Sequence, residues 1–544
     1  MRKKTLSALL CTVAAMAVLT GCGGDKKETA AAPAEGNTTA AVTEAAKTEA
    51  ETTAAVQTEA GGEKNLVMPS ASCVANLNPL LEGYKEAAML NPIYDPLYVI
   101  DVNETRYYLA DSYEVSEDGM QITVKLKEGL KWHDGEAITA DDMIFTMDVC
   151  SDTNNGAGGT NIVILNDQPV KYEKVDDLTV KVTLPMASAS YADLLGGLTL
   201  IPEHVFEGNP SVVSAGEANM KGIGSGPYKV TEFKQDEYLL LEKYEDYYMG
   251  APSIDKVTFR IISDLSAQEV ALMNGEVNFM ELANAPAVAK YEADPNFTVV
   301  KYPEGRVNYL AVNKFCDTVQ DPKVVEAVFA ALNRDEIIAG AYGDGMAESA
   351  NSIFSNVNTF YDPSVEGYTQ DVEKAKQLVK ETGLDSKTLT LYFNSERVYM
   401  KESAQIIQQQ LKNVGINLEV IPLESAGFFE KVFGTDGDYE FYLNGYGAVG
   451  DPDQVVAGMY DGTWGVNLAV SDEVSQLWKD ARTVYTPEER AAIYKQIQIQ
   501  TRDELTCYPI AYPNYVFVTT SNIKGADTIK RTPVFEDYTK LTME

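Results

Sequence analysis

The residue types that carry out most enzymatic chemistry are scarce in this chain. Of its 544 residues only two are histidines, His133 and His204. His133 follows Trp132 in a Gly-punctuated turn and His204 follows a Pro-Glu pair, and neither has a nearby Ser or Cys that would make a nucleophile–base pair. The sequence also contains no GxSxG, HExxH or Walker motif. We therefore predict structural histidines, no catalytic residue, no metal site and no cofactor.

Two short motifs resemble ligand-binding loops, but turns explain them better. Gly222-Ile223-Gly224-Ser225-Gly226 has glycines like those of a dinucleotide loop. An alternating, strand-like segment follows it, whereas a pyrophosphate site needs a helix N-terminus there. Asp451-Pro452-Asp453 carries two carboxylates, but the remaining spacing of a calcium loop is missing. We predict a tight turn at the first motif and a turn with exposed carboxylates at the second.

The net charge limits the classes of molecule that the protein is expected to bind. Asp and Glu number 81 against 44 Lys and Arg, which gives a net charge of −37. Such a surface does not neutralise phosphates, so we expect no binding to nucleic acid and no electrostatic adhesion to anionic lipid. The six cysteines are widely scattered without a CxxC pair, and the disulfide pairing among Cys73, Cys150, Cys316 and Cys507 is left open.

The N-terminus has the pattern of an export signal. Three basic residues precede an apolar stretch that ends in Leu19-Thr20-Gly21-Cys22, which resembles the lipobox of bacterial lipoproteins. We predict a signal peptide over residues 1–21 and a lipid on Cys22; the alternative is an ordinary export signal with a chance cysteine. Residues 22–64 then form the lipidated start and an Ala/Thr/Glu-rich tether, predicted to be disordered because residues 25–64 contain no aromatic, Leu or Ile.

From Asn65 onward the chain alternates strands and helices. Residues 121–126 and 178–184 alternate with period two, as expected of half-buried strands. A strand at 388–393, a helix with apolar residues at 400, 404, 407 and 411, and a strand at 416–421 make a βαβ unit, which implies parallel pairing. Helices are predicted at 371–382 and from a capping box at Thr486. The body is therefore α/β.

A set of motifs then resembles one family. Tyr108 to Gly119 leads into Leu130-Lys131-Trp132-His133-Asp134-Gly135-Glu136 and Ile138-Thr139-Ala140-Asp141-Asp142. This block is similar to the signature of the family 5 extracellular solute-binding proteins, which serve peptide and nickel ABC importers. Matches continue over roughly 450 residues, in order, at Ile201-Pro202-Glu203-His204, Gly224-Ser225-Gly226-Pro227-Tyr228, Asn274-Gly275-Glu276-Val277, Ala331-Leu332-Asn333-Arg334, Glu373 to Leu378 and Gly415-Ile416-Asn417.

The resemblance implies a two-lobed, hinged fold like that of periplasmic binding proteins, with an extra subdomain in the first lobe. On this chain we place the first lobe at 65–304 with a return at 512–544, and the second lobe at 305–511. Hinge strands are expected at 308–312 and 508–512. Closure around a ligand is the motion expected of such an architecture.

Topology selects candidate ligand contacts, because ligands bind beyond the carboxyl ends of parallel strands. After strand 388–393 these are Asn394 and Arg397, and Arg397 suits a carboxylate unless it forms a surface ion pair. After the strand predicted at 439–443 they are Asn444 and Tyr446, with core packing as the alternative for Tyr446. Trp464, in a Gly-flanked loop, lines the cleft or is simply an exposed aromatic. In the first lobe, Ser70 and Cys73 follow the first strand.

One departure from the family bears on the cargo. Peptide-binding relatives commonly carry an Asp just after a Gly-Trp pair, where it meets the peptide's amino terminus. Here Gly445-Tyr446 is followed by Gly447-Ala448-Val449, and the first acid is Asp451. We predict that Asp451 contacts a cargo ammonium, and the alternative is that it stabilises its own turn.

The sequence thus predicts a monomeric, lipid-anchored receptor on the outer face of the bacterial cytoplasmic membrane, or on the periplasmic side if there is an outer membrane. It captures a peptide or other small solute for the permease subunits of an ABC importer and touches the membrane only through its lipid. The alternatives are a cell-surface hydrolase acting on peptides or glycans, a chaperone-like adhesin with the same fold, and a receptor for a metal chelate or oligosaccharide.

Overall fold

The structure is a computed structural model that describes residues 63–82, 87–100, 104–447, 449–461, 465–528 and 537–544. The signal, Cys22, the tether up to residue 62, Ala448 and Trp464 lie outside these residues. The described residues belong to one unit that spans 57–544.

The strands are given first, in chain order. They are β1 (Asn65–Ser70), β2 (Tyr98–Ile100), β3 (Thr105–Tyr107), β4 (Ala110–Val115), β5 (Gln121–Leu126), β6 (Ile164–Leu165), β7 (Gln168–Pro169), β8 (Lys171–Asp176), β9 (Thr179–Thr183), β10 (Tyr228–Lys234), β11 (Tyr238–Lys243), β12 (Lys256–Ile261), β13 (Phe279–Glu281), β14 (Phe297–Pro303), β15 (Arg306–Val312), β16 (Ala347–Ser349), β17 (Thr388–Asn394), β18 (Asn417–Leu423), β19 (Phe441–Gly447), β20 (Cys507–Thr520), β21 (Ile523–Lys524) and β22 (Thr542–Met543).

The α-helices follow in the same order. They are α1 (Ala87–Leu90), α2 (Ala140–Ser151), α3 (Thr160–Val163), α4 (Tyr191–Gly196), α5 (Gly216–Asn219), α6 (Leu265–Met273), α7 (Ala285–Glu292), α8 (Pro322–Ala331), α9 (Arg334–Ala341), α10 (Val372–Thr382), α11 (Val398–Asn413), α12 (Ser425–Val432), α13 (Pro452–Val455), α14 (Ala457–Tyr460), α15 (Asp472–Ala481) and α16 (Pro487–Asp503).

The largest sheet has the order β13-β20-β15-β19-β17-β18, with β14 and β16 also paired to β20. Both of its faces are covered in the part that holds β15, β17 and β19. Side chains alternate along these strands, so that Leu310 and Leu391 pack into one apolar cluster with α8, α10 and α11. Tyr309 and Tyr392 pack into a second cluster, which contains residues of α14, α15 and α16. This sandwiching explains why these strands are apolar on both faces.

The long strand β20 connects two parts of the large sheet. Its first residues pair with β15, for example Tyr508 with Leu310. Its later residues pair with β14, from Asn514 opposite Pro303 to Thr520 opposite Phe297. The two partners follow one another in the chain, separated only by residues 304–305. The chain therefore passes from one part of the large sheet to the other at two adjacent places, residues 303–306 and residues 511–514. We call these two places the chain crossings.

The remaining sheets are built from residues 65–261, apart from the short antiparallel pair β21-β22. β1 pairs in parallel with β12, and β11 and β10 continue that sheet in antiparallel order. The antiparallel sheet β4-β5-β9-β8 packs against α2 in a core of its own, which includes the fully buried Trp132. This separate core corresponds to the extra subdomain expected in the first lobe.

The predicted βαβ unit is confirmed: β17, α11 and β18 follow one another, and β17 pairs with β18 in parallel. The helix predicted at 371–382 is α10, capped by Asp371 and ended by Gly383 at φ +68°. The capping box at Thr486 is not formed as predicted, because the Thr486 hydroxyl bonds to the Glu489 carboxylate instead of the backbone. The helix nevertheless begins at Pro487, whose ring restricts φ to helical values.

Candidate functional site

Asn394 lies at the predicted edge of the sheet, but its side chain is hydrogen-bonded to nearby residues of the protein. Its amide donates to the Ser425 hydroxyl (2.8 Å) and its carbonyl oxygen accepts the Glu396 N–H (3.0 Å). The residue is almost completely buried. Asn394 thus holds the loop between β17 and α11 against the start of α12, and its contact with cargo stays a prediction.

Arg397 immediately precedes α11 and is only partly buried. It lies close enough to Glu304, in the crossing between β14 and β15, to act on its carboxyl group. Burial raises the pKa of Glu304, and the positive charges of Arg306 and Arg397 partly oppose this rise. Arg306 in turn donates to the Asn308 side chain (3.1 Å) and to the Gly445 carbonyl (2.7 Å). One acidic and two basic side chains therefore lie near one another where the chain passes between the two parts of the large sheet.

Asn444 and Tyr446 do not follow a strand as predicted; they lie inside β19. The reason is that β15 extends back to Arg306 and pairs with β19 along its whole length, with Tyr309 opposite Asn444 and Val307 opposite Tyr446. The predicted strand at 439–443 was therefore too early by several residues. The two side chains lie on the same face of β19, because they are two residues apart; Asn444 is partly exposed and Tyr446 is buried.

Tyr446 is integrated into the core. Its hydroxyl donates to the Ile353 carbonyl (2.6 Å) and lies 3.1 Å from the Tyr460 hydroxyl. Its ring packs against Tyr309, with ring centroids 5.2 Å apart. Burial raises the pKa of Tyr446 well above the usual value. These contacts fit the core-packing alternative.

The carboxylates of the 451–453 turn are buried, not exposed as predicted. Asp451 pairs with Arg490 through two contacts, 2.5 Å to Nη1 and 3.0 Å to Nη2. Only 8% of the Asp451 side chain and 6% of the Arg490 side chain is exposed. Asp451 also caps α13 by accepting the Asp453 N–H. A compensating charge from α16 makes this burial tolerable, and sequence spacing carried no sign of it.

The same turn contacts the segment before and within α4. The Asp451 N–H donates to the Asp193 carboxylate (2.9 Å), and the Ser190 hydroxyl donates to Asp453 (2.8 Å). Gln454 also donates to Ser190 (2.5 Å). Asp451 thus links two segments that are far apart in the chain. Its contact with a cargo ammonium stays a prediction.

Ser70 and Cys73, the two candidates predicted for the first lobe, interact with residues close to them. Ser70 donates to the Ser72 carbonyl (2.7 Å). Cys73 is partly buried beside Asp236, and burial raises the pKa of its thiol. Cys73, Cys150, Cys316 and Cys507 are all free thiols. Ser70 is the last residue of β1 and Cys73 follows it closely, whereas Asn444 lies in β19 of the large sheet and Arg397 precedes α11.

A small cavity opens beside Asn444, and sequence reasoning missed most of its lining. It has room for only about one water molecule. It is lined by Asn308, Tyr309, Tyr342, Tyr399, Met400, Ser403, Leu443, Asn444 and Ile510. The one available signal was on α11, where Tyr399 and Ser403 are four residues apart and so share a helix face beside the apolar positions 400 and 404.

His133 has a structural role, as predicted. Its Nδ1 accepts the Gly224 N–H (3.2 Å) and its Nε2 lies 2.9 Å from the Gly226 carbonyl. This arrangement requires the neutral ring with the proton on Nε2, and burial lowers the pKa of His133 to about 4. The glycine motif is a turn: a Cβ on Gly224 would lie 2.0 Å from the Ile93 carbonyl oxygen. In the described part of the chain, no group of three or more His, Cys, Asp or Glu residues is arranged to hold a metal ion, and no helix is both long and apolar enough to cross a bilayer.

Parallel strands that end at one edge of the large sheet and two adjacent chain crossings are the features expected of a two-lobed α/β ligand-binding protein. Residues 104–467 match the bacterial extracellular solute-binding proteins, family 5 (middle region). The chain belongs to this family.

Relatives and solved structures agree with this. The dipeptide-binding protein of Escherichia coli is 27% identical over 499 residues, which cover 85% of this chain and 92% of the relative. The ABC transporter substrate-binding protein CtaP of Listeria monocytogenes superimposes with a TM-score of 0.82 at 33% identity, covering 88% of this chain and 99% of the other. The oligopeptide-binding protein AppA of Bacillus subtilis, solved with a nonapeptide, gives a TM-score of 0.69 at 26% identity, with 89% and 99% covered. The two-lobed fold and the solute-binding role are thereby established.

Proposed function

We propose that the protein captures a peptide outside the cytoplasm and delivers it to the permease subunits of an ABC importer. The observation that carries this proposal is similarity over most of the chain to proteins named for dipeptide and oligopeptide binding, one of them solved with a bound nonapeptide. The family itself is one of extracellular solute-binding proteins. Binding without turnover is the activity expected of such a receptor.

The proposed mechanism is closure of two lobes around the cargo. Residues 65–304 with 512–544 form the first lobe, and residues 305–511 form the second. The adjacent crossings at 303–306 and 511–514 support this division, since a rotation there moves the lobes as bodies while the sheets stay intact. The bonds from Ser190 and Asp193 to the 451–454 turn then join the lobes in the closed form. Closure excludes water and strengthens each polar contact with the cargo.

Cargo contacts are proposed at Arg397 and Asn444 in the second lobe, and at Ser70 and Cys73 in the first. Arg397 is the candidate partner for a cargo carboxylate, since a guanidinium binds a carboxylate through two parallel hydrogen bonds. The effect of its charge on Glu304, in the crossing between the two proposed lobes, supports this assignment.

Calorimetry with a tripeptide library and small-angle scattering test the proposal together. Peptide binding should raise the stability by about 2.7 kcal/mol at a hundredfold excess over Kd, and the radius of gyration should fall. Arg397→Gln should weaken binding of free peptides more than that of C-terminally amidated ones. Arg260→Gln, in β12, is the control. Binding without compaction would contradict the hinge mechanism, and cleavage of the peptides in mass spectra would favour a hydrolase.

A non-peptide cargo is the second candidate within the same role. It is favoured by the Gly447-Ala448-Val449 sequence, which lacks the acid that peptide-binding relatives carry after the Gly-Trp pair, and by the pairing of Asp451 with Arg490. Mass spectrometry of small molecules that copurify with the protein distinguishes the two candidates. A metal chelate or an oligosaccharide, with no peptide, would select this second candidate.

Membrane attachment is proposed to depend on Cys22 alone. The basic, apolar N-terminus that ends in Leu19-Thr20-Gly21-Cys22 supports a lipidated, exported protein. Cys22→Ala should release the protein to the medium or leave an unprocessed precursor, seen by fractionation and intact mass. A Cys22→Ala protein that is still matured and membrane-held would contradict lipidation at this residue. Cys73→Ala is the matched control.

A further inference from the structure

The segment just before α4 contacts the second of the two proposed lobes, although it belongs to the first. The Ser190 hydroxyl donates to the Asp453 carboxylate (2.8 Å) and accepts a hydrogen bond from the Gln454 amide (2.5 Å). The Ala189 N–H donates to the Arg482 carbonyl (3.1 Å). Ser190 is fully buried, so water does not compete for these bonds in this arrangement. We call these three hydrogen bonds the α4 contact.

The second-lobe side of this contact is held in place from within its own lobe. Arg482 donates to Asp453 (2.5 Å) and to Asp461 (2.6 Å), and only 7% of the Asp453 side chain is exposed. Beside it, the Asp193 carboxylate of the first lobe accepts the Asp451 N–H (2.9 Å). Groups that are already fixed lose little conformational freedom when they meet, so more of the free energy of each bond remains as stabilisation.

The turn between β4 and β5 packs closely against the second lobe. A Cβ at Gly119 would overlap the ring of Tyr485, and Gly119 has a φ of +64°. A residue without a side chain suits both the backbone conformation and the closeness of the ring. The two proposed lobes therefore contact each other at this turn as well as before α4.

All partners in these contacts belong to the protein itself. They form whenever the lobes meet, with or without cargo, so their free energy favours the closed arrangement in both cases. When the conformation that binds is populated only part of the time, the apparent affinity is reduced in proportion to that fraction. Contacts that raise the fraction therefore raise the affinity for every cargo by the same factor.

We propose that the α4 contact and the packing of Gly119 against Tyr485 form a latch, which closes the two lobes part of the time without cargo and increases the affinity for all cargo alike. The inference rests on the proposed function, because it takes the division into two lobes from it. The latch adds to the free energy of closure and does not select among cargo molecules. Selection is the role of other residues, such as Arg397.

Hydrogen exchange and small-angle scattering on the cargo-free protein test the latch directly. Ser190→Ala should speed exchange in residues 450–454 by about tenfold and increase the radius of gyration, because the lobes open more often. Ser352→Ala is the matched control: the Ser352 hydroxyl is also buried, and it donates to Gln498 and accepts from the Phe354 N–H within one lobe. Unchanged exchange and an unchanged radius in Ser190→Ala would overturn the latch.

Gly119→Ala obstructs the latch instead of removing a bond. Its Cβ meets the Tyr485 ring, so the cargo-free radius of gyration should increase. Gly129→Ala is the matched control, because Gly129 also has a positive φ (+74°) but has open space where the Cβ would lie. In a Tyr485→Ala background, Gly119→Ala should have little further effect on the radius, since the ring is gone. Equal effects of Gly119→Ala and Gly129→Ala would show backbone strain alone and would contradict the latch.

Calorimetry with tripeptides separates the latch from the proposed cargo. Ala-Ala-Ala, its N-acetylated form and its C-terminally amidated form should all bind about tenfold more weakly to Ser190→Ala, which corresponds to about 1.4 kcal/mol. A loss confined to one of the three peptides would place Ser190 at the cargo and overturn the latch.

The combined results distinguish the latch from the receptor function. If no tripeptide binds but exchange and radius respond as predicted, the latch stands and the peptide cargo is wrong. If tripeptides bind with compaction but Ser190→Ala changes neither exchange nor affinity, the receptor function stands and the latch is wrong.

Discussion

The turn at 450–454 and the cavity beside Asn444 both lie near the end of β19, but they differ in whether their polar groups have hydrogen-bond partners. In the turn, Asp451 and Asp453 are each paired with an arginine and bonded to the segment around Ser190. Beside the cavity, the Tyr399 and Ser403 hydroxyls are buried and have no hydrogen-bond partner among the residues that the structure describes. The polar groups of the turn thus stabilise the folded state, whereas these two hydroxyls make no hydrogen bond within the described part of the chain.

This difference explains why the most conspicuous acid in the sequence is a poor guide to binding. A carboxylate that already has a bidentate guanidinium gains little from a cargo ammonium, because the new cation would compete with Arg490. The pairing with Arg490 therefore argues against Asp451 as the contact for a cargo ammonium.

Asp451→Asn gives the largest expected effect. It leaves the buried Arg490 charge without its partner, which should lower the free energy of unfolding by about 3–5 kcal/mol. Denaturant titration measures this change. Asp385→Asn, at an exposed position, should stay within about 0.5 kcal/mol of the unmodified protein.

The same variant distinguishes the turn from a ligand contact. If Asp451 supports the loop, free and N-acetylated peptides should lose affinity equally. A selective loss of about 2–5 kcal/mol for free peptides would instead show that Asp451 pairs with the cargo ammonium, and the contrast between the two regions would not hold.

Tyr446→Phe has a smaller expected effect. It removes the hydroxyl that donates to the Ile353 carbonyl, which should lower the free energy of unfolding by about 1–3 kcal/mol, since the buried carbonyl is left unpaired. Peptide affinity should not change, because Tyr446 packs into the core. A variant with unchanged stability and weakened binding would place Tyr446 in the cleft, as the sequence first suggested.

Local patterns predicted the elements of the fold better than its long-range contacts. The unit β17-α11-β18 was predictable because its apolar spacing and Gly415 lie within one short segment. The end of β19 was not, since it is set by pairing with β15, more than a hundred residues earlier. The pairing of Asp451 with Arg490 was not predictable either, because the two residues belong to separate elements and no sequence pattern relates them.

The cavity shows the same limit. Asn308, Tyr342, Ser403 and Asn444 come from four separate elements, and only Asn444 was selected from the sequence. The rule that ligands bind beyond parallel strands selects one edge of the sheet. It did not identify which side chains at that edge already have partners, because that depends on the packing of α9, α11 and β15.

Ser403→Ala should change the stability least, and for that reason it tests the comparison most directly. The Ser403 hydroxyl makes no hydrogen bond within the described structure, so its removal leaves no partner unsatisfied and relieves the cost of burying a polar group. The free energy of unfolding should stay within about 0.5 kcal/mol of the unmodified protein or rise slightly. Thr382→Val is a matched control, because the Thr382 hydroxyl donates to the Leu378 carbonyl (2.7 Å) and its removal should lower the stability measurably. Both are measured by denaturant titration without ligand. A loss of more than about 1 kcal/mol for Ser403→Ala would mean that this hydroxyl already has a structural role, and the cavity would then resemble the 450–454 turn.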